Sequence, residues 1–230
     1  GIIALCGALS YSELATLYPR SGGEYHLLGV IIHPAFGFAA GIVSSTVGFA
    51  APAVLASIAL GNYLSPLIIS INPIIIALIC IISIHFFHMI NMRWGIIFQD
   101  GFTLIKIGLI LIIIIFGFFS KNPENISIIP ISGDLAKIFS PEFAVSLIWV
   151  SYAYTGWNSV IYIAGEIGKP KINIPKSMIF ATMFVTALYL MLNYVFLYTT
   201  PIELMKGQVE IGSIAGHQIF GYFGGQIINI

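Results

Sequence analysis

Charge is what this sequence has least of. Nine Lys and Arg and nine Asp and Glu make up 8% of 230 residues, against a hydrophobic share of 58%. A soluble domain carries about 25% charged residues, so this chain could not cover a water-facing surface, and a soluble globular fold is excluded. Between Glu24 and Arg93 there is no Asp, Glu, Lys or Arg, and the stretches from Phe143 to Gly165 and from Ser177 to Ile202 are equally bare. One membrane span needs about 20 apolar residues; the first stretch holds more than one span, and the other two hold one each. Cysteine is also scarce. Cys6 and Cys80 lie in apolar sequence without disulfide or metal-ligand spacing and read as small packing residues. No basic cluster or aromatic-basic interleaving points to nucleic acid. The chain shows no initiating Met, basic n-region or cleavage site of a signal peptide. Both ends are apolar, and truncation at both ends is expected.

What is present reads as an all-α polytopic membrane protein of about six spans plus the start of another. Punctuation by Pro, Gly, Asn and charge predicts helices over 1–17, 34–60, 73–91, 95–119, 141–163, 174–200 and 214–230, in one transmembrane domain covering 1–230. The connectors are Tyr18 to Glu24, Asn62 to Asn72, Lys121 to Glu142, Glu166 to Lys176 and Pro201 to Gly212. Asn173 is the expected cap of the sixth span, with Pro175 in its first turn. Gly37, Gly41 and Gly48, with several alanines, suit close helix packing in the second. Arg20, Arg93, Lys169, Lys171 and Lys176 fall on one side, Lys121, Lys137 and Lys206 on the other, so the positive-inside rule assigns the first group to the cytoplasm.

The strongest local anomaly is Ser151-Tyr152-Ala153-Tyr154-Thr155-Gly156-Trp157-Asn158, in the middle of the fifth span. A lipid-facing helix does not gather so many polar groups, which need partners, a protein interior or a water-filled cavity. Two readings stay open: a discontinuous helix whose freed backbone binds a polar ligand near the midplane, or an intact helix with its aromatics packed on neighbours. Elsewhere, Ser44, Ser45 and Thr46 can line a pathway or bond their own backbone. His85 and His88, one turn apart with no acidic or thiol companion, read as interfacial packing. Lys106 lies six residues, roughly 9 Å, beyond Asp100 along a helix, and can snorkel back to the interface. Glu13, Arg20 and Glu166 read as capping or pairing groups at the inner ends of their helices.

Four blocks give the sequence a family likeness. They are Ala4-Leu5-Cys6-Gly7-Ala8-Leu9-Ser10-Tyr11-Ser12-Glu13-Leu14-Ala15 running into Pro19-Arg20-Ser21-Gly22-Gly23-Glu24-Tyr25; Ile90-Asn91-Met92-Arg93-Trp94-Gly95; Gln99-Asp100-Gly101-Phe102-Thr103-Leu104-Ile105-Lys106; and Ala153-Tyr154-Thr155-Gly156-Trp157-Asn158, continuing to Gly165-Glu166-Ile167-Gly168-Lys169-Pro170 and Asn173-Ile174-Pro175-Lys176-Ser177. In order and spacing the chain resembles the amino acid–polyamine–organocation superfamily, within it the L-type and bacterial amino-acid permeases, from about helix 2 to the start of helix 8.

The resemblance implies a partial leucine-transporter-type fold with inverted repeats. It implies a secondary active transporter, permease or exchanger, that moves amino acids by alternating access. By the same likeness Tyr152 matches an aromatic gate, and Ala153, Tyr154, Thr155 and Gly156 match the unwound part of helix 6. Asn158 matches an asparagine near the substrate. Lys106 matches a helix 5 lysine whose ammonium stands in for a sodium ion, either exchanging a proton during transport or bracing the fold. The family's glycine-rich helix 1 motif is absent from the chain. No acidic residue lies within the charge-free spans, which favours neutral amino acids; a cationic amino acid or polyamine antiporter is the alternative, and a non-transporting sensor or scaffold on the same fold is another. Residues 62–72 contain no cysteine, so no disulfide-linked partner subunit is expected. The remaining expectations are lipid as partner, coupled protons or a counter-substrate, and no cofactor, metal or nucleic acid. The expected location is a bacterial inner (plasma) membrane. Catalytic pairs such as Ser/His, paired Asp or His-Glu-x-x-His are missing from the spans, so an enzyme is not expected.

Overall fold

Three of the apolar helices begin with the same device, a capping side chain followed by proline. His33 Nδ1 accepts from the Ala35 amide at 3.2 Å, Asn72 Oδ1 from the Ile74 amide at 2.9 Å, and Ser140 Oγ from the Phe143 amide at 3.2 Å. Pro34, Pro73 and Pro141 then occupy the first turn, where their missing N–H costs nothing and their fixed φ is already helical. Each cap satisfies an amide that the first turn would leave open, worth about 1 kcal/mol.

The computed structural model describes residues 1–65, 71–90, 92–120, 123–126, 129, 133–208 and 211–228. Its helices are α1 (Ile2–Leu17), α2 (Gly23–Ile31), α3 (Pro34–Val43), α4 (Ala51–Leu64), α5 (Pro73–Ile90), α6 (Met92–Phe118), α7 (Asp134–Ile138), α8 (Pro141–Ala153), α9 (Pro170–Thr199), α10 (Ile202–Met205) and α11 (Ile211–Ile228). A π-helical turn, Ser44–Ala50, joins α3 to α4, and a 3-10 segment, Ser159–Glu166, follows α8. Among the described residues there is no strand. Pro34–Leu64, Trp94–Phe118 and Pro170–Thr199 are long and apolar enough to cross a bilayer, and Ile2–Leu17 and Pro73–Met89 are shorter apolar helices. The chain is an all-α, multi-pass integral membrane protein.

Four local features depart from the sequence expectations. Glu24 belongs to helix α2, not to a connector, because Gly22 and Gly23 take positive φ (130° and 57°) and turn the chain directly into a helix with Glu24 in its first turn. The fifth span is one helix only to Ala153. The sixth begins at Pro170, four residues before the expected start, after Lys169 turns the chain at φ 51°. Asn173 therefore does not cap it. Its Nδ2 donates to the Gly168 carbonyl at 2.6 Å, while Pro175 sits inside the helix and leaves one backbone bond unmade. The fourth begins at Met92, not at residue 95.

Two compact units can be described separately: Gly1–Thr46 with Ser127–Ala187, and Val47–Ile126 with Leu188–Ile230. In the first, Ala8, Ala15, Leu27, Ile161, Ala164, Ile174 and Met178 form the core, bringing α1, α2, the 3-10 segment and the start of α9 together. In the second, Ile113, Ile114, Leu188 and Val195 do the same for α6 and α9. Gly117 is needed there, since a Cβ on it would collide with Val195 Cγ1. Much of the remaining apolar surface is outward: Phe86 is 66% exposed and Leu104 70%. In water such surface would associate; apolar surface of this kind suits contact with bilayer hydrocarbon.

Candidate functional site

At Tyr154–Asn158 the α-helical pattern gives way. The amide of Tyr154 donates to the Ser151 carbonyl at 3.1 Å, Thr155 to Tyr152 at 3.0 Å, Ser159 to Gly156 at 3.0 Å and Ile161 to Asn158 at 3.1 Å. These are i to i+3 bonds, which tighten the chain and leave the α-helical ladder incomplete at the end of α8. Thr155 Oγ1 adds a bond to the Tyr152 carbonyl at 2.7 Å, competing with the backbone for that acceptor. Gly156 has φ 100°, a conformation that an L side chain resists. The span is thus a discontinuous helix: α8, a five-residue break, and the 3-10 segment Ser159–Glu166.

Three groups hold the far side of the break. The Asn158 amide donates to Glu24 Oε1, and the Tyr162 hydroxyl donates to Glu24 Oε2. The phenol oxygen also lies 2.9 Å from Ser44 Oγ in the π-helical turn. A phenol has one proton, and the carboxylate can only accept, so the serine hydroxyl is the donor in that second contact. Backbone bonds reinforce the join. The Gly22 amide donates to the Tyr162 carbonyl at 3.2 Å, and the Gly165 amide to Ser21 Oγ at 3.2 Å. Gly23 admits the phenol ring, since a Cβ there would overlap Tyr162 Cε1. Trp157 packs edge-on against Tyr11, with ring centroids 5.0 Å apart, over Gly7, where a Cβ would meet Trp157 Cη2 at 2.9 Å.

The expected site residues fall in two groups. Tyr152, Ala153, Tyr154, Thr155, Gly156 and Asn158 form one continuous stretch at the break; Tyr154 and Asn158 are half-buried and the rest exposed. Lys106 lies on α6 in the second unit, exposed, and its side chain has no hydrogen bond or ion pair among the described residues. Glu13, Arg20 and Glu166 are exposed, and no ion pair among the described residues includes them. His85 Nδ1 lies 2.9 Å from the Ile81 carbonyl of its own helix, and the His88 ring packs over Gly95. No group of three or more His, Cys, Asp or Glu suited to a metal occurs among the described residues. Glu24 and Tyr162 are the residues that sequence reasoning missed. An acidic residue suits the first turn of a helix, but Pro19 to Gly23 reads as a connector, so the local pattern gave no signal for either residue.

Compared with known proteins, residues 1–230 match the family described as "Amino acid permease". The chain is 26% identical over 237 residues to the serine/threonine exchanger SteT of Bacillus subtilis (strain 168), covering 100% of this chain and 52% of that protein. It is 30% identical over 219 residues to the b(0,+)-type amino acid transporter 1 of Homo sapiens, covering 90% and 44% respectively. With the large neutral amino acids transporter small subunit 2 of Mus musculus it shares 28% over 236 residues, covering 96% and 43%. The chain thus spans about half the length of the curated relatives it matches.

Proposed function

The chain belongs to the amino acid permease family, and on that premise we propose that it is part of a secondary active transporter that exchanges amino acids across the membrane by alternating access. The observation that carries this reading is the break at Tyr154–Asn158, where i to i+3 bonding and the positive φ of Gly156 interrupt an apolar span. A break of this kind turns backbone polar groups toward a ligand without putting a charged side chain into the bilayer. Ala153, Tyr154, Thr155 and Gly156 offer carbonyls to an α-ammonium group, Tyr152 closes over the substrate, and Asn158 keeps the break open. Lys106 supplies a fixed or exchangeable positive charge in place of a cation. The three relatives are each described as a transporter or exchanger, which supports transport over catalysis.

Neutral amino acids are the proposed substrates. The charge-free spans contribute no acidic side chain, and both oxygens of Glu24 are already engaged by Asn158 and Tyr162. A cationic substrate is the second reading, favoured by the fact that this one carboxylate stands beside the break. A bacterial plasma membrane is the proposed location; the matched relatives include a Bacillus subtilis protein and mammalian ones alike. The test is exchange of labelled amino acids in proteoliposomes holding the full-length protein. Neutral amino acids are expected to exchange and arginine to compete weakly; strong competition by arginine favours the second reading, and no exchange of any amino acid refutes transport.

A further inference from the structure

Glu24 is unusual among the described acidic side chains. It is half-buried, and its two oxygens go to two residues on one segment more than 130 positions away, Asn158 and Tyr162. Those two residues lie four apart, Asn158 as the last residue of the break and Tyr162 within the 3-10 segment. A carboxylate held by both fixes the distance and the rotation of the 3-10 segment relative to α2. Through Tyr162 and Ser44 the same group reaches the start of the π-helical turn, so the break, the 3-10 segment and that turn are tied to one side chain. Irregular turns of this kind are costly to keep and persist where surrounding contacts determine them.

We propose that Glu24 is a positioning residue for the broken-helix site: it acts through Asn158 and Tyr162 to set where the backbone of Thr155 and Gly156 stands, and so sets substrate affinity. This inference rests on the proposed transport function. The role is geometric and does not require the carboxylate to carry a coupled proton. Glutamine can perform it, with Oε1 accepting from Asn158 and Nε2 donating to the Tyr162 oxygen, whose own proton then turns to Ser44. Alanine cannot, and aspartate is one methylene too short.

The test uses the full-length protein with Glu24→Ala, Glu24→Gln, Asn158→Ala and the Glu24→Ala/Asn158→Ala double variant. Backbone hydrogen exchange in detergent reads the position of the segment without any substrate, and proteoliposome exchange gives KM and maximal rate. Glu24→Ala is expected to speed hydrogen exchange across 154–166 about tenfold, leave α9 unchanged and raise KM about tenfold, the loss expected for a hydrogen bond to a charged group. Glu24→Gln should bring both values back to within about twofold of wild type. The double variant should be no worse than the worse single, because both remove the same contact. Wild-type hydrogen exchange in Glu24→Ala overturns the proposal. So does a Glu24→Gln protein with normal hydrogen exchange but lost transport, which would assign the charge itself to the mechanism. If the wild type transports nothing, the transport reading falls, while the hydrogen-exchange result still decides whether Glu24 positions this segment.

Discussion

The Asn158 side-chain amide and the Glu24 carboxylate meet across 134 positions of sequence, and they join the first turn of a short helix to the last residue of the break in the fifth span. This contact is polar and half-buried, so its polarity matters as much as its presence.

Reversing that polarity gives the first prediction. Asn158→Asp sets two carboxylates against each other and removes a donor, which costs about 2 kcal/mol or more for a charged hydrogen bond lost in a partly buried site. Amino-acid exchange should fall at least about tenfold. Adding Glu24→Gln supplies a donor facing the new carboxylate and should recover most of the lost exchange. A double variant as inactive as Asn158→Asp alone would show that the pair does not act as a donor and acceptor.

Gly156→Ala tests the break itself. With φ at 100°, a Cβ is strained whatever space surrounds it, at a cost of about 1–3 kcal/mol. Initial exchange rates and the detergent melting temperature should both fall. Gly168→Ala, where no atom lies within 4 Å of the added Cβ and φ is not positive, is the matched control and should melt close to wild type.

Two glycines carry the packing around the break, and they should differ in severity. Gly7→Ala pushes a Cβ to 2.9 Å from the Trp157 ring, which can shift at an overpacking cost of about 1–3 kcal/mol. Gly23→Ala adds backbone strain at φ 57° to a direct overlap with the Tyr162 ring. Melting curves should therefore rank Gly23→Ala below Gly7→Ala, and a reversed order would count against the packing described for Tyr162.

Lys106 separates coupling from bracing. Lys106→Ala in the full-length protein should abolish uptake driven by a pH gradient while leaving amino-acid exchange at equal pH within a fewfold of wild type. If gradient-driven uptake persists unchanged, the coupling role is wrong; if exchange and melting temperature collapse together, the lysine braces the fold.

Much of this architecture was legible because the bilayer imposes a simple rule on composition. The absence of charge from residue 25 to 92 marks membrane segments before any helix is drawn, and His33-Pro34, Asn72-Pro73 and Ser140-Pro141 mark three starts through local chemistry alone. The polar cluster at Ser151–Asn158 stood out for the same reason, since polar side chains cannot face lipid unpartnered, but by itself it left a broken and an intact helix equally open. Helix α2 was not legible: Pro19 to Gly23 reads as a connector, and nine residues give too short a period to outweigh that. The early start of α9 was hidden by Pro175, which looks like a first-turn proline but is tolerated further in. Glu24 meeting Asn158 and Tyr162 was out of reach, because the pairing depends on how distant elements pack and leaves no trace in either local pattern.

The 3-10 segment Ser159–Glu166, interrupted by non-helical backbone at Ile163, is a stretch whose length depends on its winding. A 3-10 helix advances about 2.0 Å per residue at about 120° of turn, against about 1.5 Å and 100° in an α-helix. Each residue that changed from the first form to the second would draw the segment in by about 0.5 Å and unwind the chain beyond it by about 20°. With Gly165 tied to Ser21 Oγ at one end of the segment, such a change would be taken up between that bond and the break, not by displacing an apolar helix.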